Sequence, residues 1–462
     1  MSLFTAKEIE LALKIQISQK FSVNNISIDS RKKIRGSLYI PIIGKNFDGH
    51  DFIDDAFVNG AKFCLCNKSY LKKKKINDEK LIVVNNTLQS LQKLAIYSRR
   101  RAVSTLIIGI TGSNGKTTVK NWSYEVLKHF YLTHASYGNY NNHIGLPLSL
   151  CNMPKNTEIC ILELGTSRPG EIDFLSKICK PHISIITNIG NAHIGNFRSK
   201  QQIALEKGSI YKYLKNGDAI IPGDSQFCTD LKRIAHQNKR KIHLFGKKKK
   251  CLYRINEKKN TKNNNVISFE IIDRILKLKW KVLGEHYQYN ALIILTLSNL
   301  LNINLDRVTK LLAKLLPTKG RGSAHEIRIN GKKIFLLDES YNANPDSMEN
   351  AINSLKLFSK SKKRKVCIIG EMLELGKNSK AYHIKVCKSL IKAKVDVVYT
   401  IGPRAKIIYK ELSENMQKRH FNDIDDLYNF LVVNCADQDR ILIKGSNSVN
   451  LSLITKKLMK EF

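Results

Sequence analysis

Apolar and polar positions alternate along this chain in blocks whose periods name their own elements. The opening stretch, MSLFTAKEIELALK, reads as a helix, with Thr5 and Glu8 spaced as a capping box. The first hundred residues then mix short strands with turn signals, as in LYIPIIGKNFDGHDF and AKFCLC, and close on the helix-like LQSLQKLAIYSRRRA. From residue 104 a new pattern repeats, an apolar strand, a Gly-rich turn and a helix: TLIIGITGSNGKTT, EICILELGTSRPGEI, HISIITNIGNAHIG, DAIIPGD. Strands alternating with helices predict a parallel sheet covered on both faces. A polar stretch at 247–281, with twelve Lys or Arg against three acids, reads as an exposed hairpin or loop rather than core. The long helix YNALIILTLSNLL follows. PTKGRGS at 317–323 marks a junction, and a second α/β pattern runs from KIFLLDESYNANPDS through KVCIIGEMLELG and VDVVYTIG to RILIKGSNS. The economical division is three domains, 1–102, 103–316 and 317–462, in an α/β fold class.

Composition narrows the picture only a little. With 462 residues and 42% hydrophobic positions the chain can bury real cores, which excludes wholesale disorder. The start carries Glu8 and Glu10 rather than a secretory signal, and the longest apolar run, 291–301, is too short to span a bilayer. A soluble, cytosolic protein without membrane insertion is expected. The formal net charge is +39, from 78 Lys and Arg against 39 Asp and Glu. Such a surplus suggests an anionic partner. Yet the excess is Lys scattered through every region of a Lys-, Asn- and Ile-rich chain, without the Arg and aromatic patches that read bases, so no nucleic-acid partner is expected. The ten cysteines form no CxxC pair, and Cys160 and Cys367 lie inside apolar runs; buried, reduced thiols follow.

The most specific local feature is the loop Thr111-Gly112-Ser113-Asn114-Gly115-Lys116-Thr117-Thr118 between the strand at Leu106–Ile110 and a helix. Gly112 and Gly115 let backbone amides curl toward phosphate oxygens, the helix N-terminus adds partial positive charge, and Lys116 adds a full one. Thr117 is placed to offer its hydroxyl to Mg²⁺. Ile110 stands where the longer phosphate-loop pattern has Gly, so this is the shorter GxxGKT form, and it predicts ATP binding.

Ligands of parallel sheets bind at the carboxyl ends of strands. Glu163, at the end of ICILEL, is therefore a candidate Mg²⁺ ligand. His193, after the strand ISIIT, is a second candidate. Lys207, by itself, reads as one more solvated surface lysine. The amides Asn139, Asn141 and Asn142 suit sugar or phosphate recognition, and Asp338 to Pro345 form a turn between a strand and a helix.

Taken in order, these segments resemble the Mur ligase family across nearly the whole chain. Asp29-Ser30-Arg31 and Asp48-Gly49-His50 resemble its N-terminal uridine-nucleotide domain, TGSNGKTT its ATP loop, and GNYNNHIGLPLSL its next signature. ELGTSRPGEI and TNIGNAH resemble its metal-binding strands; GEHYQYNA, GRG, DESYNANPDSM and GEMLELG complete the series. The resemblance implies a uridine-nucleotide domain, a central phosphate-loop ATPase domain and a Rossmann-like third domain. It implies a ligase using ATP and Mg²⁺ in peptidoglycan precursor synthesis. SYNANPDSM and GEMLELG point to the branch whose substrates are a UDP-N-acetylmuramoyl tripeptide and D-alanyl-D-alanine rather than a single amino acid, and to a monomer.

By that resemblance Lys116 and the loop amides hold phosphates, Thr117 and Glu163 bind one Mg²⁺, and His193 ligates a second. Lys207 falls at the family's carbamylated lysine, which reverses its reading as a surface residue. Asn290 and Arg321 contact the nucleotide, Arg321 crossing from the third domain, with Asn342 and Asn344 nearby. Ser30, Arg31, Asp48, Gly49, His50, Asn141 and Asn142 fall to the UDP-substrate. Four positions depart from the family: Gly195 and Arg198 replace Glu and Gly, Glu339 replaces Asp, and Asn447 replaces Arg. The alternatives are another amide ligase of this fold, such as a folyl-polyglutamate ligase, and a basic phosphate-loop NTPase that binds nucleic acid.

Overall fold

The opening helix, Ala6–Leu13, starts where its cap lies: Glu8 N–H donates to Thr5 Oγ1 (3.3 Å) and Thr5 N–H to Glu8 Oε2 (2.8 Å). The Glu8 carboxylate also takes Arg101 at 3.1 Å and Lys155 at 2.9 Å, fastening this helix to later segments. The computed structural model describes residues 2–74, 79–214, 217–237, 240–260, 265–280, 282, 284–358 and 363–461. Among these residues three large sheets order the chain.

The first is parallel and four-stranded, running Asn25–Ser27, Ser37–Tyr39, Ala61–Asn67, Leu81–Val84. The helix that follows it, Thr87–Arg101, packs Leu91, Leu94 and Ala95 into an apolar cluster shared with Leu146, Leu150, Met153 and Leu175. One continuous core therefore spans the first sheet and one face of the second.

The second sheet has nine strands among the described residues. Its parallel part runs Thr133–Ala135, Ile159–Glu163, Leu106–Thr111, Ile183–Ile186, Asp218–Pro222, Lys241–Gly246. The strand before the phosphate loop thus lies between the strands that end at Glu163 and at Ile186. This is the point where the connections change direction, and where such sheets open a crevice.

The basic stretch 247–281 corrects an expectation. It supplies Tyr253–Asn260, Asn265–Ile271 and Arg274–Trp280, the last two antiparallel, which extend the sheet by three strands. In RILKLKW the side chains of Leu276, Leu278 and Trp280 are buried while Lys277 and Lys279 are exposed. The period of two is an amphipathic strand, its lysines on the wet face. The Trp280 and Trp122 rings pack at a tilt with centroids 5.1 Å apart, and their Nε1–H groups donate to the carbonyls of Leu315 and Leu316 respectively.

The third sheet is Rossmann-like: Lys332–Asp338, Arg440–Lys444, Lys365–Gly370, Val397–Ile401, Gln417–Phe421 in parallel, with Ser323–Ile329 as an antiparallel edge. The ten cysteines are buried thiols, none of them joined in a disulfide. No helix of the described residues is long and apolar enough to cross a membrane.

Candidate functional site

A cleft of about 1370 Å³ opens between the second and third sheets at the carboxyl ends of their strands. The phosphate loop forms its floor. Gly112 and Gly115 have φ of +152° and +81°, conformations that favour glycine. A Cβ on Gly112 would lie 1.9 Å from Thr187 Oγ1, and one on Gly115 2.8 Å from Asn290 Oδ1, so both loop residues are held against neighbouring side chains. Ser113 Oγ accepts from Gly190 N–H (2.8 Å), and Asn114 N–H donates to Asn188 Oδ1 (2.9 Å). Lys116 Nζ donates to Gly112 O at 2.9 Å, folding its ammonium over the loop. Burial lowers its pKa, Glu163 opposes that shift, and Arg321 adds to it.

Glu163 is 1% exposed. Its Oε1 accepts from Asn141 Nδ2 at 2.8 Å, while Oε2 is buried without any hydrogen-bond partner. An unpaired buried carboxylate oxygen is costly unless something positive joins it. With Thr117 lining the same cleft, it fits a Mg²⁺ ion, which takes one or two protein oxygens and retains other ligands. No cage of three or more His, Cys, Asp or Glu is present among the described residues, so a cation here would draw on its substrate for ligands.

The third domain reaches across the cleft. Asn344 Nδ2 donates to Asn114 Oδ1 (2.7 Å), and Asn191 donates from Nδ2 to Asp346 Oδ1 (2.8 Å). Arg321 lies over the Tyr341 ring at 3.9 Å and lines the same cleft as Lys116. His193, in a left-handed conformation at φ +59°, stands with Nδ1 2.5 Å from Glu374 Oε2, and this contact holds the Glu374 carboxyl below its usual range. Lys444, 2% exposed, bridges Glu339 Oε2 (3.3 Å) and Asn342 O (2.9 Å). Asn447 donates from Nδ2 to Tyr341 O at 3.1 Å, so the amide at this departure is used to brace the 341–342 turn.

The cleft gathers Ser113, Asn114, Gly115, Lys116, Thr117, Thr118, Asn141, Asn142, Glu163, His193, Asn290, Arg321, Asn342 and Asn344. Other candidates lie elsewhere. Thr111 is fully buried, its hydroxyl donating to Leu164 O (2.8 Å), which joins strands rather than facing a ligand. Asn142, within the cleft, is partly committed to its own loop: its Oδ1 accepts from Gly145 N–H (2.8 Å) and Ile144 N–H (3.1 Å) in the turn before the helix Gly145–Cys151.

Lys207 lies beneath the cleft wall at 2% exposure, not on the surface its flanking sequence suggests; burial and then Lys116 push its pKa well below the ordinary lysine value. Ser30, Arg31, Asp48, Gly49 and His50 sit on the first domain, outside this cleft. Arg31 is forked onto Asp29. Both nitrogens of His50 are occupied: Nδ1 is 2.6 Å from Asp48 Oδ1, and Nε2 accepts from Asn67 N–H at 3.1 Å. That imidazole shapes its loop and has no nitrogen left for a ligand.

Sequence reasoning missed Lys120, 1% exposed, whose Nζ donates to the carbonyls of Ser136 (2.7 Å) and Gly138 (2.6 Å) and so anchors the segment that leads into the asparagine cluster. Its position four residues after Lys116 on one helix face was the available signal. Glu374 was visible only as part of GEMLELG.

Known proteins bear on this geometry. The family model described as the Mur ligase middle domain matches residues 110–298, the Mur ligase glutamate ligase domain 327–447, and the Mur ligase family catalytic domain 22–102. The UDP-N-acetylmuramoyl-tripeptide–D-alanyl-D-alanine ligase of Rickettsia prowazekii is 33% identical over 458 residues, covering 98% of this chain and 99% of that one. The protein of the same name from Bacillus subtilis is 32% identical, covering 95% and 93%. Among solved structures, MurF from Acinetobacter baumannii superposes with a TM-score of 0.85 at 26% identity, covering 99% of each chain. MurF ligase from Thermotoga maritima in complex with ADP gives 0.80 at 28%, covering 95% and 98%.

Proposed function

The chain belongs to the Mur ligase family, and from that premise we propose that it is the ATP-dependent ligase that joins D-alanyl-D-alanine to a UDP-N-acetylmuramoyl tripeptide, completing the cytoplasmic peptidoglycan precursor. The observation that carries this reading is the position of the branch-specific strings. Asn342 and Asn344 of SYNANPDSM and Glu374 of GEMLELG line the same cleft as the phosphate loop. Relatives named for this activity, matched over nearly their whole length, favour it over ligases that add single amino acids.

The protein's work is to position anions and offset charge, since phosphoryl transfer asks for little covalent help. The tripeptide carboxylate attacks the γ-phosphorus and ADP leaves, giving an acyl phosphate. The amine of D-alanyl-D-alanine attacks the acyl carbon, loses a proton, and inorganic phosphate departs as the amide forms. In our assignment Lys116 and the loop amides offset phosphate charge on one side and Arg321 on the other, with Asn290 beside the nucleotide.

Thr117 and Glu163 would hold one Mg²⁺, and His193 and Lys207 a second; the ions, when bound, add positive charge where the phosphates crowd. The depressed Lys207 pKa favours the free amine. That form adds to CO₂, releasing a proton and leaving a carbamate whose oxygens can ligate. On the first domain, Ser30 and Arg31 are our assignment for the uridine nucleotide, with Asp48, Gly49 and His50 shaping the adjoining loop. The domain limits 1–102, 103–316 and 317–462 are likewise our reading.

The test is phosphate release from ATP with UDP-N-acetylmuramoyl tripeptide, with and without D-alanyl-D-alanine. We expect turnover to require the dipeptide; turnover indifferent to it would remove the specific assignment, and stimulation by DNA or RNA would favour an NTPase. Glu163→Gln keeps the shape and Asn141 contact but removes the charge. We expect kcat to fall about 100-fold and the Mg²⁺ dependence to move to higher concentration. An unchanged Mg²⁺ dependence would take Glu163 out of the cation site.

A further inference from the structure

We propose that Glu374 of the third domain is the positioning residue for His193, so that the second cation site is complete only when the third domain is seated against the central one. The inference rests on the reading of His193 as a cation ligand. Its geometry is local and specific. Gly195 N–H donates to Glu374 O at 2.8 Å, a backbone bond between the domains. The two chains meet glycine to glycine: a Cβ on Gly195 would lie 2.3 Å from Gly376 N and 2.8 Å from Glu374 O. Gly376, at φ +60°, would place its own Cβ 2.8 Å from Gly195 Cα. A side chain at position 195, where the family carries Glu, would hold the 374–376 turn away.

Here the turn docks, and the carboxylate it carries lies 2.5 Å from His193 Nδ1, close enough for an ion pair though not aligned as a hydrogen bond. An imidazole whose Nδ1–H faces a carboxylate presents its Nε2 lone pair outward, the form in which histidine binds a cation.

The experiment is Mn²⁺ titration of the full-length protein with a non-hydrolysable ATP analogue, read by electron paramagnetic resonance, alongside ¹⁵N chemical shifts of the His193 ring. In the wild type we expect two Mn²⁺ equivalents and a ring protonated on Nδ1. Glu374→Gln and Glu374→Ala are expected to weaken the second equivalent about 10–100-fold, leave the first unchanged and shift the His193 ring nitrogens; Glu374→Asp should recover part of the affinity. His193→Ala should abolish the second equivalent. If His193→Ala loses that equivalent while Glu374→Ala binds both as the wild type does, Glu374 does not position the ring and the proposal falls. If His193→Ala keeps both equivalents, the ligand reading itself falls and takes the proposal with it. Gly195→Ala is expected to weaken the second equivalent as well, through separation of the domains, and wild-type binding in that variant would contradict the docking argument.

Discussion

Replacing Lys116 with Ala should lower turnover by at least about 10³-fold while leaving the fold intact. Lys116 is the ammonium that the phosphate loop folds over itself, 2.9 Å from Gly112 O. Fixed charge directed at a transferring phosphoryl group accounts for large rate effects when removed from a water-poor site. Two neighbours do not substitute for it. Lys120 spends its protons on the carbonyls of Ser136 and Gly138, and the Arg321 guanidinium lies over the Tyr341 ring. Position 116 opens the helix Lys116–Leu127, where Ala is well tolerated, so a thermal melt near that of the wild type is expected. ADP formation with both substrates present is the measurement. A rate within tenfold of wild type would mean that the loop does not hold the reacting phosphates.

The largest stability effect is expected at Trp280. Its ring is 1% exposed, packs on Trp122, and its Nε1–H is satisfied by Leu315 O. Trp280→Ala removes that volume and leaves a carbonyl without its donor, so a loss of about 3–5 kcal/mol is expected in urea unfolding. Lys277→Ala, on the opposite face of the same strand, should change stability by less than about 0.5 kcal/mol. A loss below about 1 kcal/mol for Trp280→Ala would return the basic stretch to the status of a dispensable surface loop.

The contrast between these two sites shows what could be read along the chain and what could not. Signals confined to a few residues were legible: the Thr5–Glu8 cap, and the strand, turn and helix around Gly112 to Thr118, each depend on neighbours within one or two turns. The 253–280 strands were obscured because their lysines dominate composition, whereas burial follows alternation, and only every second residue faces the core. His50 illustrates a different limit. A histidine after Asp-Gly invites a ligand role, but whether its nitrogens are free depends on Asn67, seventeen residues onward and on another element. The pairing of His193 with Glu374 lay further out of reach, since it depends on how two sheets meet and on two glycines that allow their backbones to touch.

The seams between domains differ in what they would expose to water. The first domain shares an apolar core with the central sheet, so parting them would wet Leu91, Leu94, Leu146 and Leu150 together. The third domain meets the central one through amides and carboxylates, Asn344 on Asn114, Asp346 on Asn191, Glu374 on His193, and Ile194 is the apolar residue of that turn packed against the third-domain core. Water can take over each of those polar partnerships at little net loss. Admission of two bulky, highly charged substrates therefore requires hydration of a polar seam rather than disruption of a hydrophobic one. Parting that seam would wet Asn114 and His193 while leaving the apolar core shared by the first and central domains closed.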